Sequence, residues 1–144
     1  MFQGNQAEYA FCPRTYVFPE DYRKFCLERE ASGNKHIYIL KPAASSCGKG
    51  IKVIGPGTQI NKKNGHIVSR YIANPHLIDG FKYDLRIYVV VTCFEPLKIF
   101  MLREGLVRFA TQKYSTNPKS FDKTFIHLTN YSINKKADDF VKAT

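Results

Sequence analysis

The sequence has no apolar run long enough to cross a bilayer. Its longest uncharged apolar-rich stretch, Ile87 to Phe94, is less than half a membrane span. Met1 leads into Phe-Gln-Gly-Asn-Gln, with neither a basic segment nor an apolar one, so no secretory signal is expected. The four cysteines, at 12, 26, 47 and 93, include no pair at the two-residue spacing of a zinc knuckle or a thioredoxin-like site. They are expected to be reduced thiols, mostly buried, in a cytosolic protein. There is no internal repeat and no low-complexity segment. Acidic residues are missing altogether from Ala31 to Ile78, while Lys35, Lys41, Lys49, Lys52, Lys62, Lys63 and Arg70 lie in the same stretch. Such a field suits a polyanionic partner: nucleic acid, nucleotide phosphates or an acidic protein tail. It equally describes a solvated basic face with no special partner.

The 144 residues carry 22 Lys+Arg against 12 Asp+Glu, a formal charge of +10, with 44% apolar and 14% aromatic residues. That length suits one ordinary domain, and the apolar content is too high and too evenly spread for a disordered chain. Zinc-finger spacing, an RNP1-like string and a zipper are all absent, so the charge does not by itself name nucleic acid as the partner.

Residues 1–18 read as irregular. Pro19-Glu20-Asp21 opens a helix whose buried face holds Tyr22, Phe25 and Cys26, and Gly33-Asn34 ends it. His36 to Leu40 reads as a strand, Ala43 to Gly50 as a small-residue loop, Ile51 to Ile54 as a second strand and Ile67 to Ile72 as a third. Tyr83 to Phe94 alternates and then becomes continuously apolar, the pattern of a buried strand. With Leu97 to Leu102 and Leu106 to Thr111 it predicts an antiparallel meander of three strands. Ser132 to Thr144 is polar and lysine-rich.

Four clusters carry chemistry. Lys41-Pro42 stands at a strand end before Gly48-Lys49-Gly50 and another strand. Backbone amides of such a loop can close on phosphates while a lysine supplies charge. The glycine spacing is not that of a Walker A loop, and a flexible hairpin loop would look the same. In Lys82-Tyr83-Asp84-Leu85-Arg86, strand periodicity puts Lys82, Asp84, Arg86 and Tyr88 on one face. That row could neutralise phosphates, or be a solvated salt-bridge row. Arg108, between Val107 and Phe109, offers a guanidinium suited to a carboxylate, or is a surface arginine. His127-Leu128-Thr129-Asn130-Tyr131-Ser132 gathers hydrogen-bonding groups. His127 reads as a packed structural residue more readily than as an acid–base group, and the sequon at Asn130-Tyr131-Ser132 reads as chance.

The strings CPRTYVFPEDY, ILKPAASSCGKGI, VSRYIANPHLIDGFKYDLRIYVVVT, EGLVRFATQKY and HLTNYSINKK, in this order, resemble the tubulin tyrosine ligase-like family. They run from about Phe11 to Lys136. The KPAASS loop and the SRYI-NPHLIDGFKYDLR string look most like the polyglutamylase members. The resemblance implies an α+β ATP-grasp fold, two lobes with antiparallel sheets around a nucleotide cleft. Residues 1–72 would end an N-terminal region and form the central lobe, and 73–144 would begin a C-terminal lobe. It implies ATP as co-substrate with Mg2+, and it assigns residues by motif. Lys41 would contact the phosphates, with Cys47 and Gly48 in the loop closing over them. Ser69, Arg70, Tyr71 and Ile72 would be the hinge that meets adenine through backbone groups. Lys82, Tyr83 and Asp84 would continue the nucleotide site, with Arg86 near the transferred phosphate. Thr129 and Asn130 would reach the nucleotide from the far lobe. Arg108, Tyr131 and Ser132 would hold the incoming amino acid.

There are two departures from the family pattern. Cys47 stands where related members often carry a basic or polar residue, which leaves only a backbone contact to phosphate. The family's metal-binding acid and its Glu-x-Asn pair are expected well beyond Asn134, so no metal ligand is assigned here and the chain looks like a fragment. The implied reaction phosphorylates a side-chain carboxylate of a glutamate in the tubulin tail, and the amine of free L-glutamate then attacks the acyl phosphate. The implied partners are acidic tubulin tails and glutamate, not nucleic acid or membrane, in a cytoplasmic or cytoskeletal setting that includes cilium or basal body. Alternatives are a family ligase adding tyrosine or glycine, and a fragment that binds acidic tails without chemistry.

Overall fold

A computed structural model describes residues 10–142. The chain divides into two compact units. One runs to Pro75 and takes in Thr116–Thr124, and the other comprises His76–Ser115 and the chain from Phe125 onward.

The first unit is a four-stranded antiparallel sheet with one helix. Its strands are β1 (Thr15–Phe18), β2 (Tyr38–Pro42), β3 (Lys52–Ile54) and β4 (His66–Arg70), in the spatial order β1-β4-β2-β3. Helix α1 spans Tyr22–Ala31. It stops because Gly33 and Asn34 take φ of +65° and +55°, and the Asn34 amide reaches back to the Arg29 carbonyl at 2.9 Å. That closure satisfies a carbonyl the helix end would otherwise orphan. Phe25 is the hub of the core. Its ring meets Tyr16, Phe18 and Tyr38 edge-on at 5.2, 5.4 and 5.1 Å, the geometry that aromatic quadrupoles favour. Val68 and Ile60 close the cluster, with Tyr22 and Cys26 packed at its margin as helical spacing predicts. Thr15–Phe18, expected to be irregular, is a strand: Tyr16 and Phe18 alternate inward, and the segment pairs with β4 from Thr15↔Ser69 to Phe18↔His66. Four residues ending at a proline gave too short a pattern to read.

The second unit holds β5 (Leu77–Ile78), β6 (Phe81–Arg86), β7 (Val89–Phe94), β8 (Leu97–Met101) and β9 (Leu106–Lys113). Two short helical segments follow, α2 (Thr124–His127, which begins at the last residue of the first unit) and α3 (Tyr131–Asn134). The expected three-stranded meander is corrected. β7 and β8 form a hairpin of their own, while β9 passes by β8 and pairs with β6, giving the order β5-β6-β9. Gly105 permits that return, because a Cβ there would stand 2.8 Å from the Arg86 carbonyl oxygen. The continuous strand expected over Tyr83–Phe94 breaks at Ile87-Tyr88, and its apolar half is not buried. Val89, Val90 and Val91 are 54%, 48% and 42% exposed. An apolar run reports that a segment can be covered, not that the residues present cover it.

The overall class, mixed α+β on antiparallel sheets, is the one the ATP-grasp resemblance implies. The thiols are not mostly buried: Cys12 and Cys47 are exposed, and Cys26 and Cys93 are partly covered. No helix among the described residues is long and apolar enough to cross a membrane.

Candidate functional site

Sheet register sorts the expected nucleotide residues of the first unit by face. Thr15, Ile39 and Ser69 are neighbours across β1, β4 and β2, and Lys41 lies two residues on from Ile39. These four therefore share the face opposite the Phe25 core. Thr15 Oγ1 donates to Ser69 Oγ at 2.9 Å, and Lys41 is exposed. Arg70, opposite Tyr38, belongs to the other face, the one α1 packs on. The backbone of the expected hinge is partly committed. The Arg70 amide donates to Arg14 O at 2.8 Å and the Tyr71 amide to Ile37 O at 2.9 Å. Ile72 is the first residue of the four beyond this pairing.

The loop between β2 and β3 is a chain of tight turns. Lys49 N donates to Ser46 O at 3.2 Å, and Cys47, Gly48 and Gly50 have φ of +60°, +77° and +72°. At Gly50 a side chain would meet both a left-handed backbone and the Pro42 ring, 2.8 Å from Cγ. Gly50→Ala is expected to cost about 1–2 kcal/mol, read as a lower urea midpoint with an unchanged slope.

In the second unit the candidate groups are built around one carboxylate. Asp84 on β6 stands directly across from Arg108 on β9. Arg108 Nε donates to Asp84 Oδ1 at 2.7 Å and its terminal nitrogen to Oδ2 at 2.6 Å, a two-pronged pair. Thr129 Oγ1 donates to Oδ2 at 2.7 Å. The Arg108 fork expected to clamp a free amino acid thus holds a carboxylate of its own chain. Lys82 Nζ donates to the His127 carbonyl at 2.9 Å, so the row of Lys82 and Asp84 is tied to the 127–129 segment. Arg86 is exposed and ends β6, and Tyr88, past the strand break, still lies near enough to Arg108 to act on its charge. Tyr83 serves the opposite side, its hydroxyl 3.0 Å from His76 Nδ1 and its ring against Phe109. His127 is 2% exposed and meets Tyr114 edge-on, a packed residue.

Asn134, which sequence reasoning passed over, organises the rest. It is 1% exposed. Its Oδ1 accepts from the Thr111 amide at 2.9 Å and hydroxyl at 3.1 Å, and its Nδ2 donates to Leu128 O at 2.8 Å and Asn130 O at 3.1 Å. One side chain thereby fastens the segment carrying Thr129 and Asn130 to β9. Nothing in a polar, lysine-rich stretch signals a buried amide. Asn130 precedes α3, Tyr131 is exposed beside Phe140 and Lys135, and Ser132 is half-buried.

Partial burial pushes the Asp84 carboxyl up, but hydrogen bonds from Arg108 and Thr129 and the charges of Arg108 and Arg86 outweigh it, and it lies below its ordinary 3.8. A depressed carboxyl stabilises the fold above its unfolded value and loses that contribution as pH falls through the folded value. The stability gap between the protein and Asp84→Asn is therefore expected to be constant near neutrality and to close below about pH 4, in urea titrations across pH. The pair is about a third exposed, at 30% and 35%, so the gap stays within about 1 kcal/mol.

No three His, Cys, Asp or Glu side chains among the described residues gather as a metal site. These groups do not by themselves make a magnesium centre.

The model of the tubulin-tyrosine ligase family matches residues 2–143. The chain belongs to the tubulin-tyrosine ligase family. Among its relatives, human tubulin polyglutamylase TTLL5 is 46% identical over 129 residues, 90% of this chain and 10% of that protein. Mouse tubulin monoglutamylase TTLL4 is 44% identical over 133 residues, 92% of this chain and 11% of that protein. Mouse tubulin polyglutamylase TTLL7 is 40% identical over 144 residues, 97% of this chain and 16% of that protein. The family chain thus spans 10% to 16% of the length of the curated relatives it matches.

Proposed function

We propose that these residues serve an ATP-dependent ligase that adds glutamate to glutamate side chains of tubulin tails. The observation that carries this reading is the 46% identity to a tubulin polyglutamylase across 129 residues. The γ-phosphoryl group of ATP passes to a side-chain carboxylate oxygen of the tail and ADP leaves. The amine of free glutamate attacks the acyl carbon, phosphate departs with the bonding electron pair, and the ammonium proton is lost, leaving an isopeptide bond. Charge builds on phosphoryl oxygens in the first step, where fixed cations help most. Lys41 fits that need, standing exposed on the face it shares with Ser69, ahead of the Gly48–Gly50 loop. On the second unit Arg86 is the exposed cation of its row. Arg108 would take the free glutamate's carboxylate by exchanging it for Asp84, or by sharing the guanidinium edge Asp84 leaves open. No residue is assigned as general base.

The test is a chimera in which this chain replaces the matching segment of human TTLL5. Radiolabelled glutamate transfer to microtubules with Mg-ATP is expected, and its loss in Lys41→Ala, with the melt preserved, would support the assignment. A folded chimera that binds ATP but transfers only tyrosine or glycine, or nothing, would overturn it.

A further inference from the structure

Arg70 is in the expected hinge, yet its side chain points away from the Lys41 and Ser69 face. It opens instead onto a recess of about 610 Å³ in the first unit, whose lining includes Phe11, Arg14, Thr15, Lys24, Tyr71 and Ile72 as well as Arg70 itself. A smaller recess of about 130 Å³ adjoins it, shared by Arg14, Glu28, His36 and Arg70. Among the described residues, Glu28 is the only carboxylate lining either one. It is already committed to Arg14 at 2.7 Å and to the Tyr16 hydroxyl at 2.8 Å. A terminal nitrogen of Arg70 lies 3.3 Å from His36 Nδ1, and a guanidinium can only donate there. One of the five guanidinium N–H groups is used there. The surplus positive charge of the recess therefore rests on Arg70 and Lys24.

We infer that this recess, beside α1 and bordering the expected hinge at Tyr71 and Ile72, is a binding site for an acidic peptide segment. Resting on the proposed function, the segment would be part of the modified tail. The cations come from three elements, the strand that ends at Arg70, helix α1 at Lys24 and the chain entering β1 at Arg14. Phe11 and Ile72, 80% and 58% exposed, line the same recess. A lone phosphate would be served by converging donors, whereas an extended ligand with several carboxylates and some apolar surface meets each of these groups. The volume lies within the range of binding pockets, roughly 300–1,000 Å³.

The test is fluorescence anisotropy of a labelled heptaglutamate peptide on this chain. Lys24→Glu/Arg70→Glu is compared with Lys62→Glu/Lys63→Glu, which makes the same change of net charge on an exposed loop. The first pair is expected to weaken binding about tenfold or more and the second less than about threefold. Lys24→Glu alone should leave Mg-ATP binding unchanged, and thermal melts check folding. Equal weakening by both pairs, which reports net charge only, overturns the inference, as does no weakening. Full displacement by low-millimolar inorganic phosphate overturns the peptide class. If the chimera fails to transfer glutamate while peptide binding tracks Lys24 and Arg70, the ligase reading falls and this site stands.

Discussion

Asn134→Leu is expected to destabilise the second unit by about 3 kcal/mol, close to the largest effect any single polar substitution should have here. Leucine roughly keeps the volume, so the cost comes from hydrogen bonds. The Thr111 amide and the Leu128 carbonyl lose the partner described above. Asn130 O is compensated, since it also accepts from the Ile133 and Asn134 amides, both at 3.0 Å. Two stranded buried backbone groups at about 1–3 kcal/mol each, partly relieved by relaxation, give the figure. The local readout is hydrogen exchange at the Thr111 amide, which should speed up roughly a hundredfold. Asn134→Asp keeps the Oδ1 acceptor and loses the Nδ2 donor, so its defect should appear around Leu128 and leave Thr111 less affected. An unchanged Thr111 exchange rate in Asn134→Leu would mean that α3 is held by other contacts.

Where the sequence could be read and where it could not follows from the range of the forces involved. Helix α1 and its end at Gly33-Asn34 were legible because helical period and left-handed φ are local properties. So were β2, β3 and β4, each bounded by turn residues. The partner of β9 was not. Pairing with β8 is the short-range choice, and only the close approach of Gly105 to Arg86 shows why the chain takes the longer one. The site divides the same way. Period two placed Lys82, Asp84 and Arg86 on one face, but the meeting of Asp84 with Arg108 is a matter of register between strands 24 residues apart. Arg108 and Asp84 were therefore expected in different roles, amino-acid clamp and nucleotide contact, although they touch. The opposed faces of Ser69 and Arg70 were implicit in strand alternation, yet a motif read as one hinge string hides it.

Asp84→Ala is expected to lower glutamate transfer by the TTLL5 chimera about a hundredfold while changing stability by about 1 kcal/mol or less. The two effects separate because the carboxylate is partly solvated. As an ion pair it contributes little, since water and salt screen what Arg108 and Asp84 gain. As a positioning group it fixes two others at once, the Arg108 guanidinium through two bonds and the Thr129 hydroxyl through a third. Freed, the arginine regains its rotamers and Thr129 loses its only charged partner among these three. A loss of position of about 1 Å costs on the order of a hundredfold in rate. If Arg108 receives the free amino acid, KM for glutamate should rise more than kcat falls. Asp84→Asn, which can still accept one hydrogen bond, should recover part of the loss, whereas Asp84→Leu should not. A purely structural role would instead lower the melt in proportion to activity and leave KM alone, and that outcome would remove Asp84 and Arg108 together from the proposed glutamate site.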